Sequence, residues 1–399
     1  MDNKICFSQA NILVPVSDLT KWAVIACDQY TSEPEYWYRV KKEVSTYPSS
    51  FNCILPEAFL SSDNSAKIKQ ANEKMRDYLN VNLFKQYKNS FVYVKRIQSD
   101  GRLRRGLIGK IDLQSYDFSK KNSAAVRATE ETVLSRIPPR VEIRKDSPLE
   151  IPHIMLLFND PENELFSTLE ENNANYKKIY DFKLMQNAGS ISGFKIDRNG
   201  EKSVLEILEK ISELNNGLLF VVGDGNHSLA TAKKCYEQNP GALNRYALVE
   251  IVNIHDPALD FEPIFRVMFN IDPENFIEEF SNFCENSGGE NEKEFTFIFG
   301  DKEIKKKLKI REKLAVAALQ PFIDDYLKSH EKANVDYIHD ESSVKTLSKK
   351  ENTLGILFDG MNKTDLFAAV LSDGSLPRKT FSMGHSDDKR FYLEARKIK

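Results

Sequence analysis

The sequence predicts an α/β or α+β fold built on a mixed sheet, and three observations lead to it. Two short apolar runs, "IPHIMLLFND" (151–160) and "NGLLFVVGDG" (216–225), are typical of buried strands, and a helical pattern follows each of them. "FVYVKRIQSDGRLRRGLIGKIDL" (91–113) is typical of two strands around an Asp-Gly turn. Strands and helices therefore alternate along much of the chain.

The remaining elements complete this outline. "WAVIACDQY" (22–30) begins as a strand and ends in polar residues, and "SEPEYWYRVKKEV" (32–44) indicates a helix that opens on Ser-x-Pro. The composition changes after "PIFRVMF" (263–269). We therefore expect residues 1–271 plus 373–399 to form a catalytic α/β body, with a smaller helix-and-strand domain over 272–372. The basic run "KEIKKKLKIREK" (302–313) is interpreted as a solvated face with acids nearby.

Composition limits the possible partners. The chain has 399 residues, 41% hydrophobic and 29% charged, with a net charge of −3, so it has no overall attraction to nucleic acid or anionic membrane. Five scattered cysteines without a Cys-x-x-Cys pair indicate reduced thiols. A basic segment followed by an apolar core is absent from the N-terminus, and no apolar run approaches 18 residues. We expect a cytoplasmic protein that acts on small molecules.

The stretch "VVGDGNHSLATAKK" (221–234) is the strongest local signal for a site. Gly223 and Gly225 let a ligand approach the backbone, and the free N–H groups of the following helix would face the turn. Asp224 would repel a bare anion, so it suits a metal that the anion shares, or a proton. His227 can donate to a phosphoryl oxygen. The alternative is a tight strand-to-helix turn with a structural histidine, since glycine-rich turns are weak signals.

Other candidate residues cluster in three further segments. Neither of the common nucleotide-binding glycine patterns occurs, so any phosphate chemistry needs different residues. Polar side chains after the first predicted strand, arginines within an apolar segment, and basic residues of the tail are the groups that would bind a compact anion. They are Asp28, Gln29, Thr31 and Ser32; Arg127, Thr129, Glu130, Glu131, Arg136, Arg140 and Arg144; and Arg378, Lys379, His385, Lys389 and Arg390. Arg266, which lies among apolar residues in "HDPALDFEPIFRV", is a separate candidate that needs an anion partner.

Five blocks of the sequence resemble a known family. The blocks are "WAVIACDQYTSEPEYW", "VRATEETVLSRIPPRV", "IYDFKLMQNAGSISG", "VGDGNHSLATAK" and "LPRKTFSMGHSDDKRFYLEARKI". They resemble the domain-of-unknown-function family numbered 1015, and within it the pyrophosphate-dependent L-serine kinases. The turn "GDGNHS" is also similar to the phosphate-contacting loop of the fold shared by sulfiredoxin, partition protein B and free-serine kinases. The chain departs from the expected family pattern at Glu131, near Ser190 and at Ser386-Asp387.

The resemblance implies a function: pyrophosphate and L-serine would give O-phospho-L-serine and orthophosphate, with Mg²⁺. It implies a core like that of sulfiredoxin and partition protein B. In this interpretation Asp224 is the metal ligand or its second-shell acceptor, and either Asp28 or Glu130 accepts the serine proton. The residues expected to hold the substrates are Gln29, Thr31, Arg127, Thr129, Gly225, Asn226, His227, Ser228, Arg266, Arg378, Lys379, His385 and Lys389.

Three other functions stay open. A kinase that uses ADP or ATP is the enzyme alternative, because nothing in the sequence visibly selects pyrophosphate over terminal nucleotide phosphates. A non-catalytic partition-type module would need a basic DNA-binding domain, which the charge of −3 disfavours. A sulfiredoxin-like reductase would need a cysteine where Asn226 stands. Oligomeric state does not follow from the sequence.

Overall fold

A computed structural model describes residues 5–31 and 33–399; Ser32, one of the predicted polar residues, lies outside the described part. The strands are β1 (Phe7–Ser8), β2 (Ala10–Pro15), β3 (Val24–Ile25), β4 (Phe84–Ser90), β5 (Val92–Ile97), β6 (Leu103–Asp112), β7 (Tyr116–Asp117), β8 (Val126–Arg127), β9 (Leu149–Glu150), β10 (Met155–Phe158), β11 (Lys177–Lys183), β12 (Ser190–Lys195), β13 (Phe220–Asp224), β14 (Tyr246–Asn253), β15 (Phe261–Pro263), β16 (Phe265–Phe269), β17 (Asn291–Phe299), β18 (Lys302–Ile310), β19 (Asn334–Ile338), β20 (Thr353–Phe358), β21 (Phe381–Met383), β22 (Phe391–Tyr392) and β23 (Arg396–Lys397). The helices are α1 (Leu19–Trp22), α2 (Pro34–Glu43), α3 (Ser65–Asn80), α4 (Ile137–Arg144), α5 (Glu164–Glu171), α6 (Arg198–Leu214), α7 (Asn226–Gln238), α8 (Pro273–Ser287), α9 (Ala315–Ser329), α10 (Glu341–Leu347) and α11 (Leu366–Asp373).

A large mixed sheet forms the centre of the first part. Its strands follow the order β11-β12-β5-β6-β14-β10-β13-β8-β7, and β1 pairs with β6. β10 runs parallel to β14 but antiparallel to β13, and β13 runs parallel to β8. The predicted mixed α/β class is confirmed. The predicted hairpin around Asp100-Gly101 is also confirmed, since β5 and β6 pair antiparallel and Gly101 has a φ of +86°.

The strand and helix around the opening turn follow from the sequence. β13 is buried through Val222 because apolar residues cover both of its faces. α7 begins at Asn226, directly after Gly225, whose φ of +78° is a conformation that favours glycine. α7 then packs against α4. The chain thus turns from strand to helix at Gly225, directly after Asp224 at the end of the buried strand.

A second sheet contains the strands β18-β17-β20-β16-β19, all antiparallel. Helices α8 and α9 cover one side of it, and Phe276, Phe280 and Phe295 are fully buried there. β16 belongs to this sheet although it precedes the predicted boundary at residue 272. The division into a body and a smaller domain stays a prediction. The basic run forms β18, where Lys307 pairs with Glu292.

The C-terminal tail returns to the first part of the chain. β21 pairs with β15, β22 with β3, and β23 with β9. These short pairings lay residues 381–397 across elements that are far away in sequence. The tail thereby brings its basic residues to the ends of β3 and β13. Among the described residues, no helix has both the length and the apolar character that crossing a membrane requires.

Candidate functional site

Asp224 lies at the end of β13 with one carboxylate oxygen engaged and the other unengaged. Its Oδ1 accepts a hydrogen bond of 2.8 Å from the backbone N–H of Gly225. Its Oδ2 is buried and finds no hydrogen-bond partner within the described part of the chain. The Nζ atom of Lys389 lies 3.6 Å from this Oδ2, and the two side chains are only 14–15% exposed. A buried carboxylate oxygen of this kind has capacity left for a ligand.

Asp28 lies in the loop after β3, where the sequence predicted a polar cluster. Gln29 Nε2 donates to its Oδ1 over 3.1 Å, and His153 Nε2 lies 3.9 Å from its Oδ2. Burial raises the pKa of Asp28, but His153, Gln29 and Lys389 outweigh it, so the pKa lies below its ordinary value. Asp28 is therefore ionised at neutral pH. Its side chain is 34% exposed, which leaves it accessible to a substrate.

His153 is a site residue that the sequence analysis did not select. Its Nδ1 lies 3.0 Å from the hydroxyl of Tyr392 in β22. The residue is buried, with 8% of its surface exposed. The same hydroxyl accepts from the backbone N–H of Cys27 over 3.2 Å. Tyr392 thus links His153 to the loop of Asp28. The available signal was a lone polar residue directly before the buried run of β10.

His227 lies in the first turn of α7 and is neutral. Burial lowers its pKa to about 4, and Arg140 and Arg136 act in the same direction. Its Nε2 accepts a hydrogen bond of 3.2 Å from the backbone N–H of Val133. Accepting with Nε2 leaves Nδ1 as the ring's donor. Any donation by His227 to a phosphoryl oxygen would come from Nδ1.

Asn226 connects α7 to the segment after β8. Its Nδ2 donates to the Glu130 carbonyl and to Thr132 Oγ1, each over 3.1 Å, while its Oδ1 accepts from Tyr116 over 3.3 Å. The amide is therefore engaged within the protein. Ser228 is half-buried in the same helical turn.

Gly225 packs tightly against the residues before β10. A Cβ atom at this position would lie 3.0 Å from Ile154 Cα and 3.5 Å from His153 Cδ2. The glycine is thus required by packing against the residues before β10, in addition to its positive φ.

Thr129 and Glu130 bind neighbouring strands and the tail. Thr129 is buried, and its Oγ1 donates to the carbonyl of Val222 over 2.6 Å. The Glu130 carboxylate accepts backbone N–H groups of Lys379 and Thr380 over 3.2 and 3.0 Å. Burial raises the pKa of Glu130 although these N–H groups favour its charged form. Both oxygens of Glu130 are occupied, so Asp28 is the more accessible of the two predicted proton acceptors.

Arg266 is fully buried and its guanidinium is occupied by protein groups. Nε donates to Gln320 Oε1 over 2.7 Å, Nη2 to the carbonyl of Lys379 over 3.0 Å, and Nη1 to the carbonyl of Ile264. The ring of Tyr337 lies 4.7 Å from the guanidinium. The sequence indicated an external anion for Arg266. Internal carbonyl and amide oxygens meet its donors instead.

Other predicted residues are exposed or contact groups other than Asp224. Arg378 is half-exposed and pairs with Asp324 over 3.0 Å, and Lys379 is exposed with a φ of +59°. Arg127 donates from Nε to Ala124 over 3.0 Å and lines a cavity of about 140 Å³ beside α11. Thr31 and His385 are exposed. The structure thus brings Asp28, Asp224 and Lys389 together, with Gln29 and His227 beside them.

Two features bear on what this arrangement can hold. A groove of about 950 Å³ lies between α2 and α3, and none of the predicted site residues lines it. In the described part of the chain, no three or more His, Cys, Asp or Glu side chains form a metal-binding group. The Asp224 Oδ2 oxygen, with Asp28 nearby, fits a Mg²⁺ ion whose remaining ligands are substrate phosphates and water.

Comparison with known proteins places the chain in context. The profile of a family described as "Protein of unknown function (DUF1015)" matches residues 10–337. No curated protein matches the chain. One similar solved structure is a mutant free serine kinase in complex with ADP, with 12% identity and a TM-score of 0.33 over 61% of this chain and 88% of that one. A conserved hypothetical protein from Pyrococcus furiosus is also similar, with 12% identity and a TM-score of 0.31 over 61% of this chain and 91% of that one. A truncated SbnI from Staphylococcus aureus has 12% identity and a TM-score of 0.28 over 59% of this chain and 82% of that one.

Proposed function

The chain belongs to the DUF1015 family, and we propose that it is a kinase that transfers a phosphoryl group from pyrophosphate to free L-serine. The observation that carries the proposal is the buried Oδ2 of Asp224, which accepts no hydrogen bond within the described chain and lies 3.6 Å from the ammonium of Lys389. A carboxylate and a cation at a strand end suit a metal-bound phosphate. The five sequence blocks that resemble pyrophosphate-dependent serine kinases support the choice of substrates.

The reaction requires one proton acceptor and one set of phosphate-binding groups. The serine hydroxyl oxygen forms a bond to phosphorus while the bridging P–O bond of pyrophosphate breaks, and orthophosphate leaves. Asp28 takes the hydroxyl proton, since it is ionised and accessible. Its lowered pKa makes it a weak base, as is the aspartate of protein kinases, where positioning dominates catalysis. His153 and Gln29 orient its carboxylate.

Lys389 binds the phosphate oxygens, and its ammonium neutralises part of their charge. His227 follows Asp224 by three residues in the first turn of α7, and its Nδ1–H is a neutral donor for a phosphoryl oxygen. Asp224 holds Mg²⁺ through Oδ2 in this proposal. When bound, the metal supplies positive charge that stabilises the leaving orthophosphate.

ADP or ATP is the alternative donor, because the same side chains would meet the terminal phosphates of a nucleotide. The test is purified protein with L-serine and Mg²⁺, comparing pyrophosphate, ADP and ATP, with phosphoserine measured by mass. We expect phosphoserine from pyrophosphate. If phosphoserine forms from ADP or ATP but not from pyrophosphate, the donor is a nucleotide. If no donor gives phosphoserine, the proposed kinase activity is refuted.

Metal dependence is tested by thermal unfolding. We expect pyrophosphate and Mg²⁺ together to raise the melting temperature more than either alone, because the metal screens Asp224 from the anion. An equal rise with pyrophosphate in the presence of a chelator would contradict a metal bridge.

A further inference from the structure

The loop that carries Asp28 and the loop that carries Lys389 meet at a tyrosine–aspartate pair. The hydroxyl of Tyr30 donates a hydrogen bond to the carboxylate of Asp387. The Tyr30 ring stacks on Tyr36 in α2, with the ring centroids 3.9 Å apart. Both partners of the hydrogen bond are half-buried, so the bond is partly shielded from water.

Residues of the β5–β6 hairpin hold the backbone of the Lys389 loop through hydrogen bonds. Arg96 donates to the carbonyl of Asp387 over 3.1 Å, and Arg104 donates to the carbonyl of Asp388 over 2.7 Å. The N–H of Ser99 donates to the Asp388 carboxylate over 3.0 Å. These contacts hold the loop to the sheet. The Asp387 side chain adds a further link to the Asp28 loop, beyond the pairing of β22 with β3 and the bond from the Cys27 N–H to the Tyr392 hydroxyl.

Tyr30 is held in an uncommon backbone conformation. Its φ is +52°, a value that costs free energy in a bulky residue and persists only where the surroundings impose it. The stack on Tyr36 and the bond to Asp387 are such surroundings. The carbonyl of the preceding residue, Gln29, accepts a hydrogen bond of 3.0 Å from Trp37 Nε1. The Asp28 loop is thus clamped on the side of α2 and tied to the tail through Tyr30.

We propose that Tyr30 and Asp387 are positioning residues that set the spacing between Asp28 and Lys389. This inference rests on the proposed function, in which Asp28 accepts the serine proton and Lys389 binds the phosphoryl donor. Without the pair, each loop keeps its own contacts with substrate. Their mutual placement then depends on the pairing of β22 with β3 and on the bond from Cys27 to Tyr392, which lie away from the tips of the two loops. A displacement of about 1 Å between reacting groups can cost about a hundredfold in rate. The turnover number should therefore fall while both KM values stay near those of the wild type.

The test uses Tyr30→Phe, which keeps the stacked ring and removes the hydroxyl, and Asp387→Ala, which removes the acceptor. We expect each to lower kcat at least about tenfold and to change KM for L-serine and donor less than about threefold. The double variant should be no slower than either single one, because both remove the same bond. Asp387→Asn retains a carbonyl acceptor and should restore most of the rate lost in Asp387→Ala.

Tyr38→Phe is the matched control, since Tyr38 lies on the same α2 helix with a 53% exposed side chain. Hydrogen exchange of residues 27–31 and 384–389 gives a readout that does not need activity, and it should quicken equally in Tyr30→Phe and Asp387→Ala. An active wild type with unchanged kcat in both variants overturns the positioning role and leaves the kinase intact. A wild type without kinase activity refutes the proposed function, and unchanged exchange in the variants then overturns the contact between the loops as well.

Discussion

Two basic clusters of the molecule contain residues predicted to hold pyrophosphate, and they differ in what their polar atoms are bonded to. The Lys389 cluster (Asp28, Asp224 and Lys389) contains a buried carboxylate oxygen that accepts no hydrogen bond in the described chain and has only the Lys389 ammonium, 3.6 Å away, beside it. In the Arg266 cluster (Arg266, Gln320, Arg378 and Lys379), the guanidinium of Arg266 donates to an amide oxygen and to carbonyls. In our proposal the Lys389 cluster serves a ligand, whereas the polar groups around Arg266 serve the fold. Unused bonding capacity is the feature that distinguishes them.

Asp224→Asn should have the largest effect. It removes the charge that faces Lys389 but keeps the size and one acceptor of the side chain. We expect turnover to fall at least about a hundredfold, the scale of one lost electrostatic contributor, with folding preserved. Asp324→Asn, which changes the carboxylate that pairs with Arg378 of the Arg266 cluster, is the control and should keep its rate. Steady-state phosphoserine formation by a well-folded Asp224→Asn protein at the wild-type rate would contradict the comparison.

Arg266→Met should mainly reduce stability. It leaves Gln320 Oε1 and the carbonyl oxygens of Ile264 and Lys379 without their donor. Each unsatisfied buried group of this kind costs about 1–3 kcal/mol of stability. Because the neighbouring groups can partly rearrange, we expect a total loss of about 2 kcal/mol, the cost of a single such group. Chemical denaturation should report this loss, with turnover reduced only a few-fold. A large rise in KM for pyrophosphate without loss of stability would instead indicate that Arg266 binds the substrate.

Lys389→Met should weaken donor use by about tenfold in kcat/KM, which corresponds to about 1.4 kcal/mol. The ammonium is 14% exposed and lies beside Asp224, so its charge acts in a partly desolvated place. Lys379→Met is the matched change in the Arg266 cluster, where the exposed ammonium is separate from the backbone N–H that binds Glu130. Equal losses in both variants, measured against pyrophosphate concentration, would show that the two clusters do not differ.

Much of the local fold could be predicted from the sequence because it depends on short-range patterns. The β5–β6 hairpin, helix α2 and the turn between β13 and α7 follow from periodicity, proline and glycine. The pairing of β22 with β3 could not be predicted in the same way, since it joins residues more than 360 positions apart, as the register of Phe391 with Ile25 shows. Strand order in the large sheet is non-local for the same reason.

The candidate site was predictable in its residue types and less so in its contacts. The sequence selected Asp28, Asp224 and Lys389, and their catalytic roles stay predictions. His153 was not selected, because a histidine before a buried strand has no periodic or motif signal. Arg266 was interpreted as an anion ligand because the sequence could not reveal that Gln320, 54 positions away, meets its guanidinium.

The last expected effect concerns the pH dependence of His227, and it tests whether Arg136 and Arg140 give the turn between β13 and α7 a positive potential. The folded pKa of about 4 lies below the ordinary value of 6.5, and after burial the causes are Arg140 and Arg136. Between these values the unfolded chain binds more protons than the folded one, so stability falls as pH falls from 6.5 toward 4. The ring is half-buried, so screening limits the loss to about 1–2 kcal/mol.

His227→Gln should remove this loss while keeping an acceptor for the backbone N–H of Val133, so the stability difference between wild type and variant should shrink on acidification. Denaturant unfolding at pH 7 and pH 4.5 measures it. Bound pyrophosphate should raise the pKa of His227, because the anion offsets the charges of Arg136 and Arg140, and an NMR titration of the ring reports that shift. The same positive potential that keeps a proton off His227 would attract phosphate. A pKa near 6.5 that pyrophosphate leaves unchanged would mean that these arginines are screened from the turn, and the Lys389 cluster would then rely on Lys389 alone for its positive charge.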